Sequence, residues 1–385
     1  MDYSSSKVVQ RFLKYVSFDT QAIEDSETFP SNPAEKLLGQ YLADELTSLG
    51  LIDVEMDENG YVYATLPASK GSENRPVLAF LAHMDVATDA PGSNIKTVIT
   101  NENGLDIIRT DGNTLLGADD KSGIAEIVTA VEKMLNDDSL VHPEIRVVFT
   151  PDEEIGLGVS KIDMSKVNAE YAYTIDGEAV GELTYECFNA AGAKVTFHGI
   201  SVHTGSAYGI MKNAIEMAGD FIPLLPKDAT PATTKDRDGF IAMHNIEGTI
   251  DTAVVKLLLR DFDAAGLESK KELVRKYAKE IETKYSPATI DVEIENSYYN
   301  MHDFICPKYE FLLDNVRKIY SEMGIVIDES PIRGGTDGAE LALNGLPTPN
   351  IGTGTHDCHG RNEYISVQDL ELVTEFIVRL SATFA

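Results

Sequence analysis

The chain has 385 residues, 43% of them hydrophobic, which is length enough for two or three domains and ample to bury a core. Asp and Glu total 63 against 32 for Lys and Arg, a formal net charge of −31, so neither a nucleic acid nor an anionic membrane is an expected partner. Cys187, Cys306 and Cys358 are odd in number and far apart, which leaves no disulfide framework and no cysteine-based zinc motif. The N-terminus lacks a signal-like apolar stretch and no apolar run approaches 18 residues, so a cytoplasmic protein is expected.

In chain order, Ser4 to Ser6 are placed to cap a first helix with Val8, Phe12 and Val16 on one face. A second helix follows Pro33, with Leu38, Leu42, Leu46 and Leu49 as its apolar stripe and Gly50 as its stop. Strands are expected near 51–56 and 61–66, around the turn Glu58-Asn59-Gly60. The run Pro76 to Ala82 is apolar throughout, as in a strand buried on both faces, and ends in His83-Met84-Asp85. A helix from about Ser122 carries Ile124, Ile127, Val128, Val131 and Leu135 on its inner face. Buried strands Ile145 to Phe149 and Tyr171 to Ile175 then end at Glu153-Glu154 and at Asp176. After about residue 187 the character changes. Strands near 193–198, 254–260 and 290–295, helices near 212–224 and 264–284, and an exposed loop at 226–239 read as an α+β unit over 188–300. Helices near 308–323, 336–343 and 367–381 restore the α/β character. The expected architecture is α/β, with residues 1–187 and 301–385 forming one domain and 188–300 a smaller inserted one.

Three strand-like runs thus each deliver His, Asp or Glu at their C-terminal ends, where open α/β sheets bind ligands. Each signal is ambiguous alone. His83 and Asp85 share a side of a strand, so an imidazole there can bind a metal while the carboxylate holds its other nitrogen. Asp119-Asp120, entering a helix from Gly117, suit a helix cap as well as a bridging carboxylate. Glu153 and Glu154 could divide into metal ligand and general base. His356 and Cys358 compete with His359 as a ligand. Together they supply enough N and O donors for zinc, with Co2+ or Mn2+ as substitutes, in a two-metal arrangement.

The motifs Leu81-Ala82-His83-Met84-Asp85, Leu116-Gly117-Ala118-Asp119-Asp120-Lys121-Ser122-Gly123, Pro151-Asp152-Glu153-Glu154, Arg333-Gly334-Gly335-Thr336-Asp337-Gly338 and His359-Gly360 carry a resemblance that runs over nearly the whole chain. It is to the zinc peptidase family that includes glutamate carboxypeptidase and acetylornithine deacetylase, and within it to the tripeptide aminopeptidases. The resemblance implies a zinc-peptidase catalytic domain with a mixed central sheet flanked by helices, plus an α+β lid domain. It implies two zinc ions per subunit. His83 and Asp176 would hold one, Glu154 and His359 the other, and Asp119 would bridge them. Asp85 would orient His83, and Glu153 would be the general base. It assigns His203, Arg260, Asn300 and Arg333 to substrate binding and allows a homodimer through the lid. The chain departs from the family pattern at Thr204, at Glu178, in the short stretch from Asp85 to Asp119 and at Asp357-Cys358. These positions bear on the cleft and on tripeptide selectivity, and none removes a ligand.

The expected function is hydrolysis of the N-terminal residue from short peptides, chiefly tripeptides, by a water that two zinc ions activate with Glu153 as base. Alternatives on the same metal core are a dipeptidase, a carboxypeptidase or an N-acyl amino acid deacylase. A metal-stabilised peptide-binding protein is the non-enzymatic reading. A nucleotide-dependent oxidoreductase is disfavoured, because no G-x-G-x-x-G follows the strand at 77–82.

Overall fold

The computed structural model describes residues 6–385. The chain folds as two units. The larger holds residues up to Tyr185, Asp303–Ser330 and Thr336–Ala385, and the smaller holds Glu186–His302 and Pro331–Gly335.

The larger unit begins with α1 (Lys7–Tyr15) and α2 (Glu35–Leu49). Ser6 caps α1, its hydroxyl accepting from Val9 N, whereas Ser4 and Ser5 lie outside the described residues. Gly50 ends α2 at φ 101°, a left-handed conformation that glycine adopts without steric cost. Next come β1 (Ile52–Met56), β2 (Val62–Leu66), β3 (Leu78–His83), the hairpin β4 (Thr97–Glu102) and β5 (Leu105–Thr110), and α3 (Ala118–Asn136). Then follow β6 (Ile145–Thr150), α4 (Met164–Val167), β7 (Tyr171–Gly177) and β8 (Leu183–Thr184). The hairpin is absent from the sequence-based expectations: β4 is mostly exposed, and β5 buries Ile107, Ile108 and Thr110 between polar residues, so neither carries the continuous apolar run of the central strands.

The smaller unit comprises β9 (Asn189–His198), α5 (Ala214–Phe221), β10 (Phe240–Gly248), β11 (Thr252–Asp261), α6 (Ala264–Lys284) and β12 (Thr289–Asn296). Its antiparallel sheet runs β10-β11-β9-β12. Alternate residues of β9 and β11, among them Val195, Phe197, Val255 and Leu257, pack on Phe221, Leu267, Val274 and Ile281 of the two helices. β10 is an edge strand exposed over most of its length, which is why no apolar run announced it.

The chain then passes through α7 (His302–Ile305) and returns as α8 (Glu310–Met323), α9 (Asp337–Leu343), β13 (Asn350–Gly352), β14 (Thr355–His356), β15 (Tyr364–Ser366) and α10 (Val367–Ala382). The central sheet of the larger unit has the order β1-β2-β6-β3-β7-β13-β8. Its middle strands β6, β3, β7 and β13 are parallel, and the marginal pairings β1–β2, β2–β6 and β13–β8 are antiparallel, so the sheet is mixed as expected. All six residues of β3 and of β6 are buried. Each large apolar side chain so buried contributes about 1.5–3 kcal/mol. α3 packs on β3, α1 and α10. It is buried all round from Asp120 to Val131 rather than on one face. A second sheet, β14-β15-β5-β4, completes the unit. No helix among the described residues is long and apolar enough to cross a membrane.

Candidate metal centre

Parallel pairing aligns the C-terminal ends of β3, β6 and β7, so the residues that close these strands meet at one edge of the sheet. His83 closes β3 with its ring 2% exposed. Its Nε2 lies 2.9 Å from Asp119 Oδ1 and 3.2 Å from Asp176 Oδ1. Its Nδ1 faces Asp85 Oδ1 at 3.3 Å. His359 sits in the turn after β14 at φ 62°, and its Nε2 lies 3.2 Å from both Asp119 Oδ2 and Glu154 Oε2. Asp119 therefore shows one carboxylate oxygen to each imidazole.

The turn before α3 explains how Asp119 does this. Asp119 and Asp120 have non-helical backbone angles and are joined by a cis peptide, with regular helix beyond them. The two readings of this acidic pair divide between its members. Asp120 is the cap: Oδ1 accepts from Gly123 N at 3.2 Å and Oδ2 from His83 N at 3.1 Å. Asp119 is left to face the imidazoles. Asp120 also lies close enough to His83 and Asp176 to join a donor group, but both its oxygens serve backbone amides.

Glu153 and Glu154 open a single turn of 3-10 helix after β6. Asp85, fully buried, accepts from Glu153 N through Oδ1 and from Glu154 N through Oδ2, both at 3.0 Å. One carboxylate thus braces His83 and both glutamates.

Burial and crowding shape the protonation of this cluster. Burial lowers His83, but the carboxylates of Asp176, Asp119 and Asp85 outweigh it and hold the ring well above the ordinary imidazole value. His359 is pushed up to about 9, first by its hydrogen bond to Asp119. Burial raises Glu154 to about 9 and Asp176 to about 6, and burial together with Asp176 lifts Glu153 well above the usual carboxyl range. Burial alone would raise Asp119, but hydrogen bonds from His359 and His83 outweigh it and keep that carboxyl low.

The donor set suits a metal ion. Glu154 Oε1 is buried without a hydrogen-bond partner among the described residues, and buried polar atoms are rarely left so. Ligand atoms around a tetrahedral ion with bonds near 2.0–2.1 Å stand about 3.3–3.4 Å apart, close to the spacings of 2.9 to 3.2 Å here. His83, Asp119 and Glu154 form one compact donor group, and His83 and Asp176 belong to a second.

His356 is not part of this cluster. Its ring stacks on Tyr364, and it lines a cleft of about 680 Å³ beside the β4–β5 hairpin. The Cys358 thiol contacts Thr355 Oγ1 at 3.4 Å, and burial raises its pKa. His203, Arg260, Asn300 and Arg333 belong to the smaller unit. His203 is exposed, and its Nδ1 accepts from Gly205 N at 3.2 Å. The Arg260 guanidinium lies over the Tyr298 ring and donates to Leu259 O. Arg333 lies over Phe188 and donates to the carbonyls of Asp236 and Asp238. Asn300 accepts from Cys187 N and His302 N and donates to Phe262 O, so its amide splints three backbone segments.

Several residues around the cluster go unmarked by sequence reasoning. Asp89 Oδ2 lies 3.6 Å from His359 Nδ1. Asp337, buried, accepts from Thr150 Oγ1 at 2.8 Å, and burial and Asp176 raise its pKa to about 8. Glu363 holds the turn that carries Asp119. Asp337 lies within the motif that begins at Arg333, yet nothing in its spacing marks its role. For Glu363 the one available signal is an acid four residues after His359.

This edge of the sheet gathers the N and O donors that a hydrolytic metal centre needs, and the comparisons give the class, a hydrolase of peptide bonds. Residues 79–383 match the model of peptidase family M20/M25/M40, and the chain belongs to that family. A peptidase T from Halothermothrix orenii is 41% identical, over 99% of each chain. The aminopeptidase PepT of Bacillus cereus superposes with a TM-score of 0.81 at 24% identity, covering 98% of this chain and 97% of that one. A tripeptidase from Staphylococcus aureus gives 0.82 at 20% identity, covering 98% of each chain. These two structures show the same fold.

Proposed function

We propose that this peptidase is a two-zinc aminopeptidase of short peptides, tripeptides above all. The observation that carries the reading is the convergence of His83, Asp119, Glu154, Asp176 and His359, with Asp119 turned to both imidazoles. The similarity to peptidase T over nearly the whole chain supports the substrate class. His83 and Asp176 would hold one ion, Glu154 and His359 the other, with Asp119 shared. Zinc bound there supplies a Lewis acid and brings the pKa of water to about 7. Co2+ and Mn2+ suit the same donors.

The chain's own residues do the rest. Glu153 takes the proton of the attacking water and returns it to the leaving amine. Asp85 keeps Glu153 and Glu154 in place through their amides and aligns His83. In the same reading His203 serves the oxyanion, and Arg260, Arg333 and Asn300 the substrate. A cytoplasmic location fits the three thiols, none of them in a disulfide. A homodimer through the smaller unit fits a sheet whose edge strand β10 exposes Met243 and Ile246.

The test is a peptide panel with and without chelator. Ala-Ala-Ala is expected to be cleaved, and Ala-Ala and N-acetyl-Ala-Ala-Ala to be spared. Chelation should abolish turnover, and zinc, cobalt or manganese should restore it. Turnover that survives chelation overturns the metal mechanism, and cleavage of the acetylated peptide overturns the aminopeptidase.

A further inference from the structure

Glu363 lies four residues after His359 and just before β15, with 1% of its surface exposed. Its Oε2 accepts from Leu116 N at 2.6 Å and Gly117 N at 2.8 Å, and its Oε1 from Asp119 N at 3.1 Å. All three donors belong to the turn that leads into α3. These amides precede the regular helix that Asp120 caps, and Gly117 has no side chain to offer them a partner. Burying a carboxylate is costly, and three charge-assisted hydrogen bonds offset that cost. The other end of the residue faces the second imidazole: Glu363 N donates to the carbonyl of Gly360, the neighbour of His359. One residue therefore grips the backbone on both sides of the contact between His359 and Asp119.

We propose that Glu363 is a positioning residue of the metal centre, holding the Asp119 carboxylate in register with the His359 imidazole so that both donors meet one ion. This rests on the metal reading of the site. The sequence places Glu363 beside one ligand and far from the other, and the fold makes it the tie between them.

The test compares Glu363→Gln and Glu363→Ala with Phe376→Leu, a substitution in the core of the same unit, where the ring packs on Tyr320. Gln keeps one acceptor oxygen for Leu116 and Gly117 but sets an NH2 group against Asp119 N–H. Zinc affinity is read by competition with a chromogenic chelator, and site geometry by the visible absorption of the cobalt-loaded protein. Removing an outer partner of a ligand typically weakens metal binding about 10–100-fold. Glu363→Gln is expected to fold, to bind zinc in that weakened range and to show an altered cobalt band, with Glu363→Ala weaker still. Phe376→Leu should lower the melting temperature and leave affinity and spectrum unchanged. Zinc affinity within twofold of wild type in Glu363→Gln, with an identical cobalt spectrum, overturns the proposal. So does an equal loss of affinity in Phe376→Leu. A wild-type protein that binds no zinc overturns the metal reading itself, and this proposal with it.

Discussion

Glu153 and Glu154 are adjacent in the chain, and the structure places their side chains differently. Glu154 Oε2 lies 3.2 Å from His359, while Glu153 is fixed by its amide to Asp85 and makes no such contact with an imidazole. Glu153→Gln removes a proton carrier and keeps nearly the same shape. General acid–base groups contribute about 10²–10⁴-fold, so kcat on a tripeptide is expected to fall within that range while zinc content, measured by atomic emission, is retained. Turnover within threefold of wild type would remove Glu153 from the mechanism. At this scale His83, Glu154 and Asp176 were legible as proposed ligands because each follows a buried apolar run, whereas Asp119 and His359 were singled out only by the family resemblance. The division between Asp119 and Asp120 was not legible, because it depends on which carboxylate the His83 and Gly123 amides claim. Glu363 escaped notice for the same reason: its partners are backbone atoms more than 240 residues away.

Among the elements, α3 and β7 show how the fold brings the proposed ligands together. Gly123 lies where the helix meets the strand, and a Cβ there would stand 2.0 Å from Ile175 O and 2.5 Å from Asp120 Oδ1. Helix propensity alone favours alanine over glycine by about 1 kcal/mol. Overpacking costs about 1–3 kcal/mol, and here the obstruction is the backbone of the strand carrying Asp176. The steric effect should win. Gly123→Ala is expected to lower the melting temperature by several degrees and to weaken zinc binding, both read in one calorimetric titration series. A more stable variant with unchanged affinity would show that helix and strand can separate at no cost to the site. The elements that could be read from sequence were those with apolar faces: β3, β6 and β7 buried on both sides, and α2 with its stripe of Leu38, Leu42 and Leu46. β4 and β10 are exposed over most of their length and take their shape from pairing with neighbours, so composition alone did not reveal them.

At the scale of the whole molecule, the excess of acid has a local consequence. The five proposed ligands, drawn from residues 83 to 359, all belong to the larger unit, and three of them are carboxylates. A bound cation supplies the counter-charge these acids lack, and by mass action it stabilises the state that binds it by about 2.7 kcal/mol at a hundredfold excess over Kd. The smaller unit holds none of the five ligands and has its own core around Val195, Phe197, Phe221, Leu257 and Ile281. Chelation should therefore loosen one unit and spare the other. Amide hydrogen exchange with and without chelator is expected to lose protection in β3, α3, β7 and the turn around His359, while β9, β11 and α6 keep theirs. Zinc added back should reverse the change. The self-repulsion of a chain with net charge −31 acts on both units, so raising salt at constant pH separates the two effects. Salt screens the general repulsion and leaves the coordination-linked loss of protection in place. Loss of protection spread evenly across β9, β11 and α6 would mean that metal binding and folding are linked through the entire chain rather than through the unit that holds the ligands.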